Sequence, residues 1–294
     1  MIPYGKHILK PTRQIKLAKK KDTSGTKGRK GFDLYYSNIF GDRWDALKAS
    51  LLTEPSYVSW NPYENEIEVP YYLDGGSVLA ALSLPLEGAE RVLDMCAAPG
   101  GKTLVLASKL PENARMTSNE RSNERRGRLH KVVEEYLPEE IKSRITVSGF
   151  DASTWCKFEV ETYDRIFVDA PCSSERHVLS SPKHLEQWSP FRVKTLGMTQ
   201  WSILSSAWRV LKPNGYLVYA TCALSPVEND QVIEKLRDKF DNVVVENIDI
   251  LQIQKNERIP ILRPEKTKYG YHVLPDVQSG AGPLFFSLLK KREN

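Results

Sequence analysis

Cysteine is scarce in this chain, and its spacing argues against two common uses of the residue. Only four occur among the 294 residues, namely Cys96, Cys156, Cys172 and Cys222. They form no C-x-x-C motif and no Cys/His cluster of the kind that binds zinc, and their wide spacing is unlike the disulfide framework of a small secreted domain. We therefore expect no metal site and a reducing compartment.

Long apolar runs and internal repeats are also missing. No uninterrupted stretch approaches the roughly 20 apolar residues that a membrane-spanning helix requires, so we expect no membrane among the partners. Hydrophobic residues nevertheless make up 40% of the chain. This content is sufficient for one large globular domain with a smaller appendage.

Acidic residues are nearly absent from the first 30 positions. That segment carries ten Lys or Arg against Asp22 alone, a net charge of +9, which leaves −4 for the rest of a chain whose total is +5. We predict that residues 1–31 form a basic flexible arm without fixed structure. Three roles stay open for it: contact with a phosphate backbone, an import signal, or a solvated tail without a specific function.

Behind the arm, the chain divides into a helical and loop extension, 32–85, and an α/β domain, 86–294. Apolar spacing predicts a short helix near Trp44–Leu51, and prolines and glycines predict a loop over 53–75. The domain alternates strands and helices, which favours a doubly wound, mostly parallel sheet of about seven strands. The predicted strands are Arg91–Met95, Ala114–Glu120, Arg144–Phe150, Arg165–Asp169, Tyr216–Thr221, Asn242–Ile248 and Leu284–Leu289.

The loop CAAPGGK after the first strand, Cys96–Lys102, lacks the requirements of two phosphate-binding motifs. A dinucleotide fingerprint needs G-x-G-x-x-G, but the only glycines here are the adjacent Gly100 and Gly101. A P-loop needs G-x-x-x-x-G-K-[ST], and Cys96 stands where its first glycine belongs. Pro99 also removes an amide donor that a phosphate would use. An ATPase is therefore the weaker alternative.

Acidic residues end or follow three successive predicted strands: Glu120, Asp151 and Asp169. The carboxyl ends of parallel strands meet at one edge of a sheet, where open α/β sheets bind ligands. Three carboxylates there suit ribose hydroxyls, an adenine amino group and a cationic sulfonium, so S-adenosyl-L-methionine is the predicted ligand. Each acid taken alone is also consistent with a helix cap or a turn.

Two cysteines follow neighbouring predicted strands, Cys172 in DAPC and Cys222 in ATC. Both could simply be small buried hydrophobes, which is how we interpret Cys156. Beside a methyl donor, however, a thiolate has a specific use. Carbon 5 of cytosine becomes nucleophilic once a thiolate has added to carbon 6. The strand pattern does not decide which of the two cysteines attacks.

Four motifs resemble those of the NSUN (Sun-domain) RNA cytosine-5 methyltransferases: DMCAAPGGKT, VDAPCSSERH, YATCALSPVEND and the closing YGYHVLPDVQSGAGPLFFSLLKK. The resemblance covers roughly residues 32–291 and implies a Rossmann-like class I S-adenosylmethionine-dependent methyltransferase fold. It implies that Cys222 is the nucleophile and that Cys172 helps to release the product. DNA cytosine methyltransferases, by contrast, attack with a Pro-Cys cysteine.

The resemblance also implies which residues bind the cofactor. Ala152 is a departure, because close relatives often have glycine there, although a backbone contact would survive the change. The implied contacts are Cys96, Ala97, Ala98, Pro99, Gly100, Gly101, Lys102, Glu120, Arg125, Asp151, Ala152 and Asp169.

The compact layout is most similar to the mitochondrial branch of the family, which implies a mitochondrial matrix location, with the cytoplasm or nucleus as alternatives. FDLYYSNIFGDRW and CSSERH favour methylation of small-subunit rRNA. Two alternatives are a mitochondrial tRNA wobble-cytosine methyltransferase and a ribosome-assembly factor that holds rRNA without essential catalysis.

The sequence does not show which part of the protein selects the RNA substrate. No RRM-like or PUA domain is evident, so the basic arm, the segment Ser173–Pro190 or an mTERF-type helical-repeat partner protein are the candidates. That segment could clasp RNA by charge and stacking, or it could be an ordinary surface insertion. Its candidate contacts are Arg176, His177, Lys183, His184 and Trp188.

Overall fold

The first described segment, residues 26–82, packs against a larger α/β body. The computed structural model describes residues 26–257 and 259–293, so most of the predicted arm lies outside the described residues. Helix α1 begins at Gly28, inside the stretch predicted to lack structure. The elements of this region are α1 (Gly28–Phe40), a 3-10 turn (Gly41–Arg43), α2 (Trp44–Leu51), β1 (Tyr57–Trp60), β2 (Tyr71–Asp74) and α3 (Gly75–Leu82).

The body continues the alternation of strands and helices. Its first half contains β3 (Arg91–Asp94), α4 (Gly101–Ala107), β4 (Arg115–Asn119), α5 (Asn123–Tyr136), α6 (Glu139–Lys142), β5 (Ile145–Ser148), a 3-10 helix (Ala152–Lys157) and β6 (Tyr163–Asp169). Its second half contains α7 (Glu175–Ser180), α8 (Pro182–Glu186), α9 (Pro190–Val210), β7 (Leu211–Thr221), α10 (Asp230–Lys239), β8 (Val243–Val245), α11 (Ile250–Glu257), β9 (Glu265–Lys266), β10 (Tyr271–Val273) and β11 (Leu284–Lys291).

The described strands of the body form one mixed sheet in the order β5-β4-β3-β6-β7-β11-β10-β9, with β8 also paired to β11. The first five are parallel, and β11 runs antiparallel to β7. The chain leaves β3 toward β4 and β5 and then returns to β6 on the other side. This reversal creates a crevice at the carboxyl ends of β3 and β6. The predicted α/β class with a mostly parallel sheet is confirmed.

Helices cover both faces of the central strands, so these strands are apolar on both sides. Val92 of β3 packs into the hydrophobic core on one face, while its neighbour Leu93 packs into the core on the other. Ile166, Phe167 and Val168 of β6 are fully buried. Such continuous runs made the central strands visible in the sequence.

Two segments predicted as loops are ordered. Residues 53–75 contain the antiparallel hairpin β1–β2, whose strands are too short to give a periodic signal. The segment Ser173–Pro190 contains the short helices α7 and α8. The second has a recognisable start, because Ser181 caps it and Pro182 occupies its first turn. Two further short strands, β9 and β10, were also not predicted.

Aromatic side chains join the N-terminal helices to the body. Trp188, which follows α8, is 1% exposed. Its ring lies 5.3 Å from that of Phe32 and 5.4 Å from that of Tyr35, in edge-on arrangements. Its carbonyl accepts a hydrogen bond from the Gly28 amide at 2.9 Å. Trp188 therefore anchors α1, and the predicted role of this side chain in clasping RNA is wrong.

We expect Trp188→Ala to destabilise the fold by about 3–5 kcal/mol, because it removes a fully buried indole from an aromatic cluster. The matched control is Phe191→Ala, three residues away but 73% exposed, for which we expect a change within about 0.5 kcal/mol. Urea denaturation of both variants measures the difference. Equal losses of stability would contradict the anchoring role.

Candidate active site

A cavity of about 1070 Å³ opens at the crevice in the sheet. Its walls come from the segments that follow β3, β4, β5, β6 and β7, as expected for a doubly wound sheet. The exposed ring of Phe150 and the C-terminal loop Gly282–Leu284 also contribute. Nine of the predicted site residues line the cavity: Cys96, Lys102, Glu120, Arg125, Asp151, Ala152, Asp169, Cys172 and Cys222.

The remaining five predicted residues, Ala97–Gly101, form the turn behind the cavity wall. Gly100 has φ of 124°, and a Cβ there would lie 2.8 Å from Val132 of α5. A Cβ on Gly101 would lie 2.8 Å from the ring of Tyr71. The absence of side chains at these glycines therefore lets α4 pack closely against α5 and β2. Val132 and Tyr71 occupy the space that the side chains would need, so this space is not open to a ligand.

Two acids and two arginines form the cavity wall beyond β4 and β5. Glu120 is buried, accepts the Ser122 amide at 2.8 Å and pairs with Arg125 at 3.1 Å. Arg125 also donates to the Ala98 carbonyl at 2.7 Å, which ties this wall to the turn after β3. Hydrogen bonds from Ser153, with help from Arg121 at 3.0 Å, lower the pKa of Asp151.

Lys102 and Asp169 form an ion pair on the floor of the cavity, with the Lys102 Nζ 2.8 Å from Asp169 Oδ2. Burial acts to lower the pKa of Lys102, but the charge and hydrogen bond of Asp169 outweigh it and raise that pKa. The negative form of Cys222 acts in the same direction. Lys102 is therefore a permanent positive charge within electrostatic range of Cys222.

Beneath this pair lies a second carboxyl group that the sequence analysis missed. Asp94, at the end of β3, is fully buried and accepts the Thr103 hydroxyl at 2.6 Å. Its Oδ1 has no hydrogen-bond partner among the described residues. Burial raises the pKa of Asp94 to about 7. In the sequence, a single acid at the end of an apolar strand cannot be distinguished from an ordinary turn residue.

The two cysteine side chains lie side by side where β6 and β7 end. The Cys222 amide donates to Cys172 Sγ at 3.3 Å, and Ser174 Oγ lies 3.0 Å from Cys222 Sγ and 3.6 Å from Cys172 Sγ. The hydrogen bond that the Cys172 thiol donates to Cys222 is the larger cause, and burial the smaller, of a pKa of Cys172 well above its ordinary value. Cys172 is therefore held as a neutral thiol beside its neighbour.

A buried pair of carboxyl groups joins the two cysteine loops from behind. Ser173 contacts Glu175 and lies 2.5 Å from Glu228 through its hydroxyl, and its amide donates to Glu228 at 2.9 Å. Glu175 also accepts the Leu224 amide at 3.0 Å and the Tyr36 hydroxyl. The Ser173 hydroxyl carries one proton and cannot donate to both acids, so one carboxyl group is itself protonated.

Arg176 and Asp74 hold the C-terminal loop against the cavity. Arg176 donates to the carbonyls of Gly280 and Gly282 at 2.9 and 2.8 Å, and to that of Thr53 at 2.8 Å. Asp74 accepts the Gly282 amide at 2.7 Å. Arg176 was predicted to bind RNA. It does line the cavity, but its guanidinium group is already hydrogen-bonded to backbone carbonyls. Its partners are distant in sequence and gave no signal.

The other predicted RNA contacts lie at or near the mouth of the cavity. His177 is exposed and lines it, and its ring is 4.8 Å from that of His184. Lys183 is exposed on α8. In the part of the chain that the structure describes, no His, Cys, Asp and Glu cluster could hold a metal ion, and no helix could cross a membrane.

Comparison with known proteins places these features in context. The family described as 16S rRNA methyltransferase RsmB/F matches residues 81–289. The 5-cytosine rRNA methyltransferase NSUN4 of Mus musculus is 28% identical over 88% of this chain and 87% of its own length. NSUN4 of Bos taurus is 33% identical over 74% of this chain, which spans only 58% of that protein.

A second kind of relative is the mitochondrial tRNA (cytosine(34)-C(5))-methyltransferase of Mus musculus, 33% identical over 75% of this chain and 63% of its own length. Among solved structures, a methyltransferase homolog protein from Pyrococcus horikoshii superposes with a TM-score of 0.66 at 19% identity, over 88% of this chain and 97% of that one. At this identity the superposition shows the fold, and the predicted Rossmann-like class I methyltransferase fold is confirmed.

Glu228→Gln should flatten the pH dependence of the free energy of unfolding. Burial, reinforced by Glu175, raises the pKa of Glu228 from 4.5 to about 7. The folded protein therefore retains a proton that the unfolded chain has released, so this stabilisation is complete below about pH 4.5 and is lost as the pH rises through about 7. Glutamine mimics the neutral carboxyl group and does not titrate.

Denaturation midpoints measured across this pH range test the expectation. Glu64→Gln, at an exposed surface position, serves as the control and should keep the pH dependence of the wild type. If Glu228→Gln also keeps the pH dependence of the wild type, the buried carboxyl pair does not retain the additional proton in the folded protein.

Proposed function

The chain belongs to the family of 16S rRNA methyltransferases RsmB/F, and on this premise we propose that it is an S-adenosylmethionine-dependent RNA cytosine-5 methyltransferase with a cysteine nucleophile. The NSUN resemblance of its motifs is confirmed by the family match and by the named relatives. One observation carries the proposal: the thiols of Cys172 and Cys222 are adjacent in a cavity that also contains strand-end carboxylates.

The cavity residues fit S-adenosyl-L-methionine by their chemistry. Asp151 is kept ionised by the hydrogen bonds of Ser153, and Glu120 is a buried acid beside Arg125, so hydroxyl and amino groups of a nucleoside find acceptors there. Phe150 offers an exposed ring at the same end of the cavity. Lys102 is already paired with Asp169, which disfavours a polyphosphate. When bound, the cofactor supplies an electrophilic methyl group.

Cys222 is the proposed nucleophile. Its thiolate adds to carbon 6 of a cytosine, forms an S–C bond and leaves carbon 5 electron-rich. Lys102 lies within electrostatic range of this sulfur. After carbon 5 has been methylated, its proton passes to solvent, the electron pair of the C5–H bond forms the C5=C6 double bond, and the electron pair of the S–C bond returns to Cys222.

Cys172 is the proposed aid to product release. Its pKa is raised by the hydrogen bond that its thiol donates to Cys222 and by burial, so it remains a thiol while its neighbour reacts. A neutral S–H beside the adduct is a poor nucleophile but a useful polar partner for the departing thiolate. This asymmetry between the thiols favours Cys222 as the attacking group, in agreement with the family resemblance.

Small-subunit rRNA of mitochondria is the proposed substrate. Its support is that the rRNA methyltransferase NSUN4 of Mus musculus matches 88% of this chain, whereas the mitochondrial tRNA methyltransferase of the same organism matches 75%. A tRNA wobble cytosine is the second candidate, because that relative shares a comparable identity. The location in the mitochondrial matrix and an mTERF-type partner protein stay predictions, as does the RNA contact of the basic arm 1–31.

Cys222→Ala should abolish methylation of RNA, whereas Cys172→Ala should permit attack and accumulate a covalent protein–RNA adduct. The first variant lacks the attacking sulfur, and the second lacks the group that assists release. Cys156→Ala is the matched control, because Cys156 lies in a separate surface recess beside Trp208 and Phe240, and it should behave as the wild type. Denaturing gels and methyl-group transfer assays measure both outcomes.

If the adduct forms with Cys222→Ala and not with Cys172→Ala, the two roles are reversed. Sequencing the RNA bound to Cys172→Ala from cells then identifies the target. Adducts on small-subunit rRNA support the first substrate, and adducts on a tRNA wobble position support the second. Absence of adduct and of methylation in every protein, including the wild type, would instead favour an assembly factor.

A further inference from the structure

Ser174 has a backbone conformation that serine rarely adopts. Its φ of 53° and ψ of 64° place it in the left-handed region, where the Cβ of an L-residue approaches the following carbonyl oxygen. Among the described residues, three other non-glycine positions share a positive φ: Glu161, Asn214 and Ser279. Strain of this kind persists where the surroundings impose it, and functional sites are where it tends to accumulate.

The hydroxyl of Ser174 does not serve the local helix. Ser174 occupies the N-cap position of α7, where a serine side chain normally accepts a backbone amide, yet its side chain makes no capping hydrogen bond. Ser174 Oγ lies instead 3.0 Å from Cys222 Sγ and 3.6 Å from Cys172 Sγ. The serine therefore takes the strained conformation and directs its hydroxyl at the sulfur atoms.

The neighbours of Ser174 impose this placement. Ser173 and Glu175 are both buried and are fixed by hydrogen bonds to Glu228 and to the Leu224 amide. The backbone between them turns outward, so Ser174 is the residue of the loop that faces the cavity beside Cys172. Relaxation of Ser174 alone would require breaking contacts of the buried carboxyl pair.

We propose that Ser174 is a further catalytic residue, whose hydroxyl donates a hydrogen bond to the Cys222 thiolate before attack on the pyrimidine and again after release. The inference rests on the proposed role of Cys222. The proton stays on the serine oxygen throughout, while the sulfur forms and later breaks its bond to carbon 6 with its own electron pair. Lys102 supplies the nearby positive charge, and Cys172 the neighbouring neutral thiol.

A comparison of glycine substitutions separates this role from a structural one. Glycine adopts positive φ without strain, so Ser174→Gly removes the strain and the hydroxyl together. Ser279→Gly is the matched control, because Ser279 has φ of 51°, is exposed and does not line the cavity. Both variants should be at least as resistant to urea as the wild type, since each relieves the same strain.

Alkylation of Cys222 by iodoacetamide, quantified by peptide mass spectrometry, measures the thiolate without RNA. At neutral pH we expect Ser174→Gly and Ser174→Ala to react about tenfold more slowly than the wild type, the loss typical of one charge-assisted hydrogen bond. The difference should vanish at alkaline pH, where the thiol ionises unaided. Ser279→Gly should react like the wild type at every pH.

Equal alkylation rates in the wild type and both Ser174 variants would overturn the inference, and so would equal slowing in Ser279→Gly. Because this assay contains neither RNA nor cofactor, its result is independent of the substrate. A wild type that fails to methylate any RNA counts against the proposed function, whatever the alkylation rates show.

Discussion

The buried pair of Glu175 and Glu228, which both contact the Ser173 hydroxyl, is the constraint on which the cysteine site depends. Two acids removed from water would repel each other if both were ionised, and their contacts to Ser173 require that one of the two carboxyl groups is protonated. Through Leu224, Tyr36 and Gln200 the pair connects the loop after β6, the loop after β7, α1 and α9. The two strands that carry the thiols are thereby fixed at one separation.

The chemistry of the site follows from that fixed separation. With the loops fastened from behind, the two sulfurs remain adjacent, and the raised pKa of Cys172 keeps that residue a neutral thiol. Ser174 is forced outward and into a strained backbone conformation, with its hydroxyl 3.0 Å from Cys222 Sγ. The ion pair of Lys102 and Asp169 lies on the cavity floor beside this pair of thiols, toward the remaining strand ends.

The sequence predicted the strands and the residues at their ends, but not the contacts between distant segments. The central strands β3, β6 and β7 were visible because each is a continuous apolar run that is followed by Asp or Cys. The hairpin β1–β2 was not, since four-residue strands show little periodicity. Glu228 was visible only as a motif letter, because its partners Ser173 and Gln200 lie 55 and 28 residues away. Ser174 was likewise visible only as one letter of the motif VDAPCSSERH.

The central claim is that Cys222, and not Cys172, attacks the cytosine. Cells fed 5-azacytidine incorporate 5-azacytosine into their RNA. This base has nitrogen in place of carbon 5 and therefore has no proton whose loss would expel the attacking thiolate. The wild-type protein consequently stays covalently attached to the RNA. Mapping the attachment site by mass spectrometry of the digested adduct is the most direct test. The account predicts the nucleotide on the peptide that contains Cys222, and attachment to Cys172 would contradict it.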